Sequence, residues 1–246
     1  MAPAKQSGRP LGEIRVWEHR EIADGTSDRG AERRLVGPRA LDWLEVAAFV
    51  GLLVSYIWLW QGSFTGSGAL IVVGYFGLGA AIHRRHGETA AALGIGFRDF
   101  GRGLRQAGLW IGPMGLLILA AGAVAGGWHF PRVLLLARDV GTYIVWGTMQ
   151  QYGLLCVLYR RLDSLLPGGA APIAASGLVF SFFHIPNPFL MPVTLALGAL
   201  SAWLYRRVTN LPALGIAHGV VGVTLTYALP ASLTLAMRVG PGMFGR

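Results

Sequence analysis

Long, uninterrupted apolar runs are the feature that most constrains the fold of this 246-residue chain. Several of them approach the roughly 20 residues that an α-helix needs to cross a bilayer. Charged residues make up only 13% of the chain, about half of the roughly 25% that is usual in soluble proteins. The sequence therefore predicts an all-α, polytopic membrane helical bundle.

Seven apolar segments predict the membrane-spanning helices, and a shorter one follows them. The predicted limits are 41–60, 69–82, 109–128, 140–159, 171–184, 189–205 and 211–229. The last stretch, 231–239, is short for a span, so it is expected either to lie at the interface or to form a tilted eighth helix. These segments predict a transmembrane domain over residues 39–246 with about 7–8 transmembrane helices.

The basic residues predict the orientation and the partners of this domain. The net charge is +9, but the arginines are spread over short loops, with pairs at 84–85, 160–161 and 206–207 on alternate loops. Such a distribution favours contacts with anionic membrane lipids, and it does not indicate nucleic acid. The positive-inside rule predicts an integral, multi-pass protein with a cytoplasmic amino terminus. Residues 1–38 are polar and aperiodic, and are expected to form a disordered cytoplasmic tail.

The segment 87–108 interleaves basic and apolar side chains between the second and third predicted spans. They are Phe97, Arg98, Phe100, Arg102, Leu104 and Arg105. This spacing favours an amphipathic helix that lies on the inner leaflet. A plain basic loop is the alternative interpretation.

Four polar side chains in the apolar runs identify the candidate site. Gln150 and Gln151 are adjacent in the fourth predicted span, while His184 and His218 belong to the fifth and the seventh. At a helix rise of about 1.5 Å per residue, all four fall within about 10 Å of one another in depth. Polar side chains are costly in hydrocarbon and usually face a bundle interior or a cavity, so we expect these four to meet.

These residues resemble the motifs of the CAAX protease and bacteriocin-processing (CPBP, or Abi) family of all-helical intramembrane proteases. That family carries EExxxR on one helix, FxxxH on the next, and HxxxN or HxxxD on a later one. Phe180 to His184 satisfies FxxxH, and His218 opens the third motif. The resemblance covers roughly residues 140–227, the predicted family core, and implies that Gln150, Gln151, His184 and His218 occupy catalytic positions.

The sequence departs from the family pattern at the charged positions. Gln150 and Gln151 replace the two glutamates, Leu155 replaces the arginine, and Gly222 replaces the final Asn or Asp. In the family a glutamate is understood to activate the attacking water. A carboxamide cannot accept that proton as a general base. Loss of the arginine together with the glutamates is coherent, because a buried arginine without its carboxylate would be uncompensated.

Two functional hypotheses follow from this pattern. In the first, the protein has an altered or lost peptidase activity and keeps a cavity that binds a peptide or a membrane protein. In the second, it is an active intramembrane endopeptidase with a rearranged centre, in which His184 or His218 acts as base and Gln150 stabilises the oxyanion. Glu45, near the inner end of the first span, is a candidate surrogate carboxylate, but an interfacial charge close to Asp42 is the favoured interpretation of this residue.

Metal binding and transport are weaker alternatives. Two histidines and two glutamines form a poor zinc site, even if Cys156 approaches them, because zinc prefers His, Cys and carboxylate ligands. No metal or other cofactor is therefore expected. A transporter would show an internal repeat with broken helices in both halves, and the sequence shows no convincing repeat.

Overall fold

The structure, a computed structural model, describes residues 38–129 and 131–244. This part of the chain is helical and contains no strand, so the predicted all-α class is confirmed. Its α-helices are α1 (Pro38–Ser55), α2 (Ser67–Arg85), α3 (Phe100–Trp110), α4 (Gly112–Ala125), α5 (Val133–Gln151), α6 (Arg160–Leu165), α7 (Ala171–Phe182), α8 (Leu190–Arg207), α9 (Leu211–Ala228) and α10 (Ala231–Thr234).

Two of these helices continue as π-helix. Residues Tyr56–Trp60 extend α1, and Tyr152–Tyr159 join α5 to α6 without a break. The second π-helical segment starts directly after Gln151. Such segments are rare and occur frequently at functional sites, because they change the face on which the following side chains lie.

Among the described residues, three helices are long and apolar enough to cross a membrane: Arg39–Trp60, Ser67–Arg85 and Leu211–Ala228. A fourth span results if α3 and α4, which are bent by 43°, count as one. By their length and composition, these helices support a multi-pass membrane protein. The predicted count of seven or eight spans is not confirmed. Residues 231–239 contain only α10 and a 3₁₀ turn, Leu235–Met237.

The predicted amphipathic segment is partly helical. Residues 87–99 form turns and irregular chain, whereas α3 begins at Phe100 and ends at Trp110. Gly103 and Ala107 are its buried residues, and Leu104 and Trp110 are exposed. The predicted cytoplasmic tail, 1–38, lies outside the described residues except for Pro38, which begins α1.

Asparagine and proline define the starts of α9, which carries His218, and of α7, which ends at Phe182, two residues before His184. Pro172 and Pro212 occupy the first turns of α7 and α9, where a missing N–H costs nothing. The Asn210 side chain accepts a hydrogen bond from the Ala213 backbone N–H at 2.9 Å, which caps α9. These signals fix where α9 begins and therefore the depth of His218.

Glycines bring α5 and α9 into close contact. A Cβ added at Gly147 would lie 2.9 Å from the backbone nitrogen of Gly219, and one added at Gly219 would lie 2.6 Å from the Cα of Ile144. Small residues at helix interfaces let backbones approach in this way within membranes. The contact sets the distance between Gln151 at the end of α5 and His218 on α9.

Candidate functional site

Gln151 lies at the centre of a buried polar cluster. Its side chain is fully buried, and its Nε2 donates to the Ser201 Oγ at 3.2 Å and to the His218 Nδ1 at 3.0 Å. Ser201, on α8, is also fully buried. The cluster thus joins α5, α8 and α9 through one carboxamide.

The direction of these hydrogen bonds fixes the protonation of the His218 ring. Because His218 Nδ1 accepts from the amide, the neutral ring carries its proton on Nε2. The Gln151 Oε1 is buried and has no hydrogen-bond partner among the described residues. If the nitrogen and oxygen of the Gln151 amide were exchanged, two buried N–H donors would lack a partner instead of one acceptor. This orientation would be less favourable, because each unpaired buried group is costly.

Gln150 and His184 line an apolar cavity of about 290 Å³ beside this cluster. Tyr75, Met149 and Phe180 form part of its wall. The Gln150 side chain is half-buried and makes no hydrogen bond to another described residue. Its amide N–H groups and its carbonyl oxygen are therefore available to a ligand in the cavity.

His184 presents an acceptor rather than a donor. Its Nδ1 is 2.7 Å from the Phe180 backbone oxygen, and since a carbonyl can only accept, Nδ1 carries the proton. The neutral ring then has its lone pair on Nε2. The Phe180 ring connects the two histidines, with its centroid 5.0 Å from that of His184 and 5.7 Å from that of His218.

The structure thus brings the predicted residues together in two adjoining groups. Gln151 and His218 are hydrogen-bonded, Gln150 and His184 share the cavity, and Phe180 lies against both imidazoles. Their catalytic or binding role stays a prediction. No carboxylate occurs among the described residues that line the cavity.

The other two departures from the family pattern have physical explanations. Leu155 is fully buried in the hydrophobic core, where an arginine would need a carboxylate partner. A Cβ at Gly222 would lie 2.7 Å from the Cδ1 of Tyr143. The Tyr143 ring therefore occupies the space that a larger residue at position 222 would require, and its hydroxyl is 2.6 Å from the Thr226 Oγ1.

The Glu45 carboxylate is paired with basic side chains and does not line the cavity. It forms a hydrogen-bonded ion pair with Arg85, and its Oε2 is 2.9 Å from the His86 Nε2. Asp42 lies 3.3 Å from the same guanidinium. Asp42, Glu45 and His86 are the one group in the described part of the chain that could hold a metal ion, and the Arg85 guanidinium lies against both of its carboxylates. These contacts remove the reason to treat Glu45 as the surrogate carboxylate.

Cys156 is also separate from the glutamines and histidines. Its thiol is buried within 3.5 Å of the Leu93 carbonyl oxygen and 3.7 Å of the Tyr205 hydroxyl. Cys156 therefore does not extend the ligand set of the two glutamines and two histidines. The π-helical segment that begins at Tyr152 changes the turn angle of the chain between Gln151 and Cys156.

An ionic cluster at the end of α2 supports the helix that carries the glutamines. The Glu88 carboxylate accepts from His83 Nδ1 at 2.7 Å and from Arg160 Nε at 2.7 Å, and it pairs with Arg161. The hydroxyl oxygen of Tyr152, the residue after Gln151, lies 3.1 Å from the His83 Nε2. Burial raises the pKa of Glu88, but these partners outweigh burial and lower the pKa to about 2.

Sequence reasoning missed Ser201 and Glu88. Ser201 is a single small polar residue in an apolar helix, and its only signal is that a buried hydroxyl needs a partner. Glu88 lies in a basic segment between two predicted spans. Its only signal in the sequence is that the arginine pairs need an anion nearby. The sequence alone does not show which acidic residue provides that anion.

The comparison with family models gives one match. Residues 140–224 match the family described as Type II CAAX prenyl endopeptidase Rce1-like. This confirms the predicted resemblance to the CPBP family over the segment that contains Gln150, Gln151, His184 and His218. Neither the search of curated proteins nor the search of solved structures found a match.

Proposed function

Residues 140–224 match the family model of Rce1-like CAAX prenyl endopeptidases, and from this match we propose that the protein binds a peptide segment in the membrane without hydrolysing it. The family is a membrane protease family, which supports a peptide or protein ligand. The two family glutamates are replaced by Gln150 and Gln151. The protein therefore keeps the family site as a neutral binding cavity.

The free carboxamide of Gln150 is the observation that carries this proposal. It lines the cavity next to His184 and bonds to no other described residue. A carboxamide can donate to a peptide carbonyl and accept from a peptide N–H at the same time. The apolar remainder of the wall suits hydrophobic side chains, because burying apolar surface contributes about 25 cal/mol per Å².

A binding measurement with a cavity-filling variant tests the proposal. Val72 lines the cavity, whereas the adjacent Val73 is 69% exposed and does not line it. Val72→Trp fills the cavity and is expected to weaken binding of a fluorescent, leucine-rich peptide about ten-fold or more, which corresponds to about 1.4 kcal/mol.

Val73→Trp is the matched control, with the same side chain on the neighbouring, lipid-facing position. It should leave binding to the purified protein in lipid nanodiscs unchanged. Equal binding by the two variants would contradict the proposed cavity, and so would failure of the unaltered protein to bind any such peptide.

A hydrolytic activity with a rearranged centre is the second candidate, and the His184 ring favours it. Its Nδ1–H is held by the Phe180 carbonyl, so Nε2 is the basic atom available to the cavity. A neutral imidazole can act as a general base. This candidate predicts peptide cleavage that depends on His184.

A further inference from the structure

A second cavity lies next to the inner cavity that Gln150 and His184 line. This outer cavity has a volume of about 590 Å³. Its wall consists of Ile57, Trp58, Leu59 and Gln61 on one side and of Met237, Arg238, Val239, Pro241 and Gly242 on the other. Ile57, Gln61 and Val239 line both cavities. The inner cavity therefore adjoins the outer one across these three side chains.

The carboxyl-terminal wall of the outer cavity is held in place by hydrogen bonds to its backbone. The buried Asn187 donates from Nδ2 to the Thr234 oxygen at 3.1 Å and to the Arg238 oxygen at 3.0 Å. The Gly240 N–H donates to the Ile185 oxygen at 2.9 Å. Gly240 has φ +56°, and an added Cβ would lie 2.7 Å from Ile57 Cγ2, so only glycine fits this approach.

Charge distinguishes the two cavities. The described residues that line the inner cavity include no charged side chain, whereas Arg238 lines the outer one. The Arg238 residue is exposed, and no acidic side chain in the described ranges forms an ion pair with it. A cation that lines a cavity favours a ligand with complementary charge.

We propose that the two cavities form one extended site for a peptide that is apolar in the inner cavity and carries a negative charge where it reaches Arg238. This inference rests on the proposed peptide-binding function and adds the charge of the ligand to it. Arg238 attracts the acidic part of the peptide, and Val239 separates that part from the apolar part.

A charge-reversal experiment tests this preference. Three leucine- and valine-rich peptides with amidated ends, carrying terminal Glu, Gln or Lys residues, are titrated onto the full-length protein in nanodiscs of neutral lipid. An exposed ion pair contributes about 0.2–1 kcal/mol, so the unaltered protein should prefer the Glu peptide over the Gln peptide by about 1.4- to 5-fold. The preference should fall as salt is added, because salt screens exposed charges.

Arg238→Glu should reverse the order, so that the Lys peptide binds more tightly than the Glu peptide. Arg98→Glu makes the same change of net charge at a side chain that is 94% exposed and lines neither cavity, and it should keep the original order. Equal binding of all three peptides by the unaltered protein and by Arg238→Glu would overturn the charged subsite while leaving the peptide cavity intact. Absence of binding by every peptide would instead overturn the proposed function.

Discussion

At the scale of single residues, the carboxamide at position 151 determines what the site can do. Gln151 donates to His218 Nδ1, whereas a glutamate in its place could only accept. The exchange of Glu for Gln therefore removes a base and also reverses the direction of a hydrogen bond to the neighbouring histidine. His218 becomes a ring with its proton on Nε2.

The tautomer of His218 gives a prediction for this residue pair. In the unaltered protein, His218 should be protonated at Nε2 and unprotonated at Nδ1. In Gln151→Glu the carboxylate should draw a proton onto Nδ1, because it can accept but not donate. Nitrogen-15 NMR of protein labelled only in histidine measures both ring nitrogens, and His218→Gln identifies the signals. An unaltered protein already protonated at Nδ1 would contradict the hydrogen-bond direction.

At the scale of helices, the close contact of α5 with α9 positions the site. Gly147 faces the backbone of Gly219, which cannot move aside as a flexible side chain could, whereas Gly141, on the same helix, has open space around its Cα. Substituting each of these two glycines of α5 therefore distinguishes the effect of helix packing from the effect of helix propensity.

Gly147→Ala should lower the melting temperature, since overpacking costs about 1–3 kcal/mol and each 1 kcal/mol shifts the melting temperature by about 2–4 °C in a protein of this size. Gly141→Ala should leave it unchanged or raise it, because alanine favours helix over glycine. Thermal unfolding of the detergent-solubilised protein measures both. Equal melting temperatures for the two variants would show that the α5–α9 contact is looser than described.

The sequence predicts helices and their approximate limits better than it predicts which side chains meet. The prolines at 172 and 212 and the cap at Asn210 place α7 and α9 within a few residues. The interaction of Gln151 with Ser201 depends on how α8 packs, and the separation of Cys156 from the site depends on the π-helical segment. Neither feature has a signal in local sequence, because both arise from tertiary contacts.

At the scale of the whole molecule, the ionic cluster around Glu88 ties the chain after α2 to the helix that follows the glutamines. The pKa of Glu88 is lowered from 4.5 to about 2 by His83, Arg160 and Arg161, against the opposing effect of burial. A carboxyl group with a lowered pKa stabilises the fold above its unfolded pKa, and that stability is lost as the pH falls toward the folded pKa.

Glu88 should therefore contribute stability at pH 6 that decreases between about pH 4.5 and pH 2. Glu88→Gln should lower the melting temperature at pH 6 and should reduce the loss of stability on acidification from pH 5 to pH 3. Melting curves of the two proteins over this range provide the measurement. Parallel pH profiles would show that Glu88 does not hold the cluster together.

We propose that this molecule keeps the family site but not its hydrolytic chemistry. The support for this proposal is that neutral carboxamides replace the two glutamates and that Glu45 is paired away from the cavity. The restoration variant Gln150→Glu/Gln151→Glu/Leu155→Arg returns the base together with its compensating cation, and it serves as a reference for activity in the same membranes.

The most direct test is mass-spectrometric detection of peptide cleavage in native host membranes, comparing the unaltered protein with His184→Ala and with the restoration variant. We predict that the unaltered protein produces no more cleavage than His184→Ala, and that cleavage rises only in the restoration variant. Cleavage by the unaltered protein that disappears in His184→Ala would contradict the account and establish a rearranged catalytic centre.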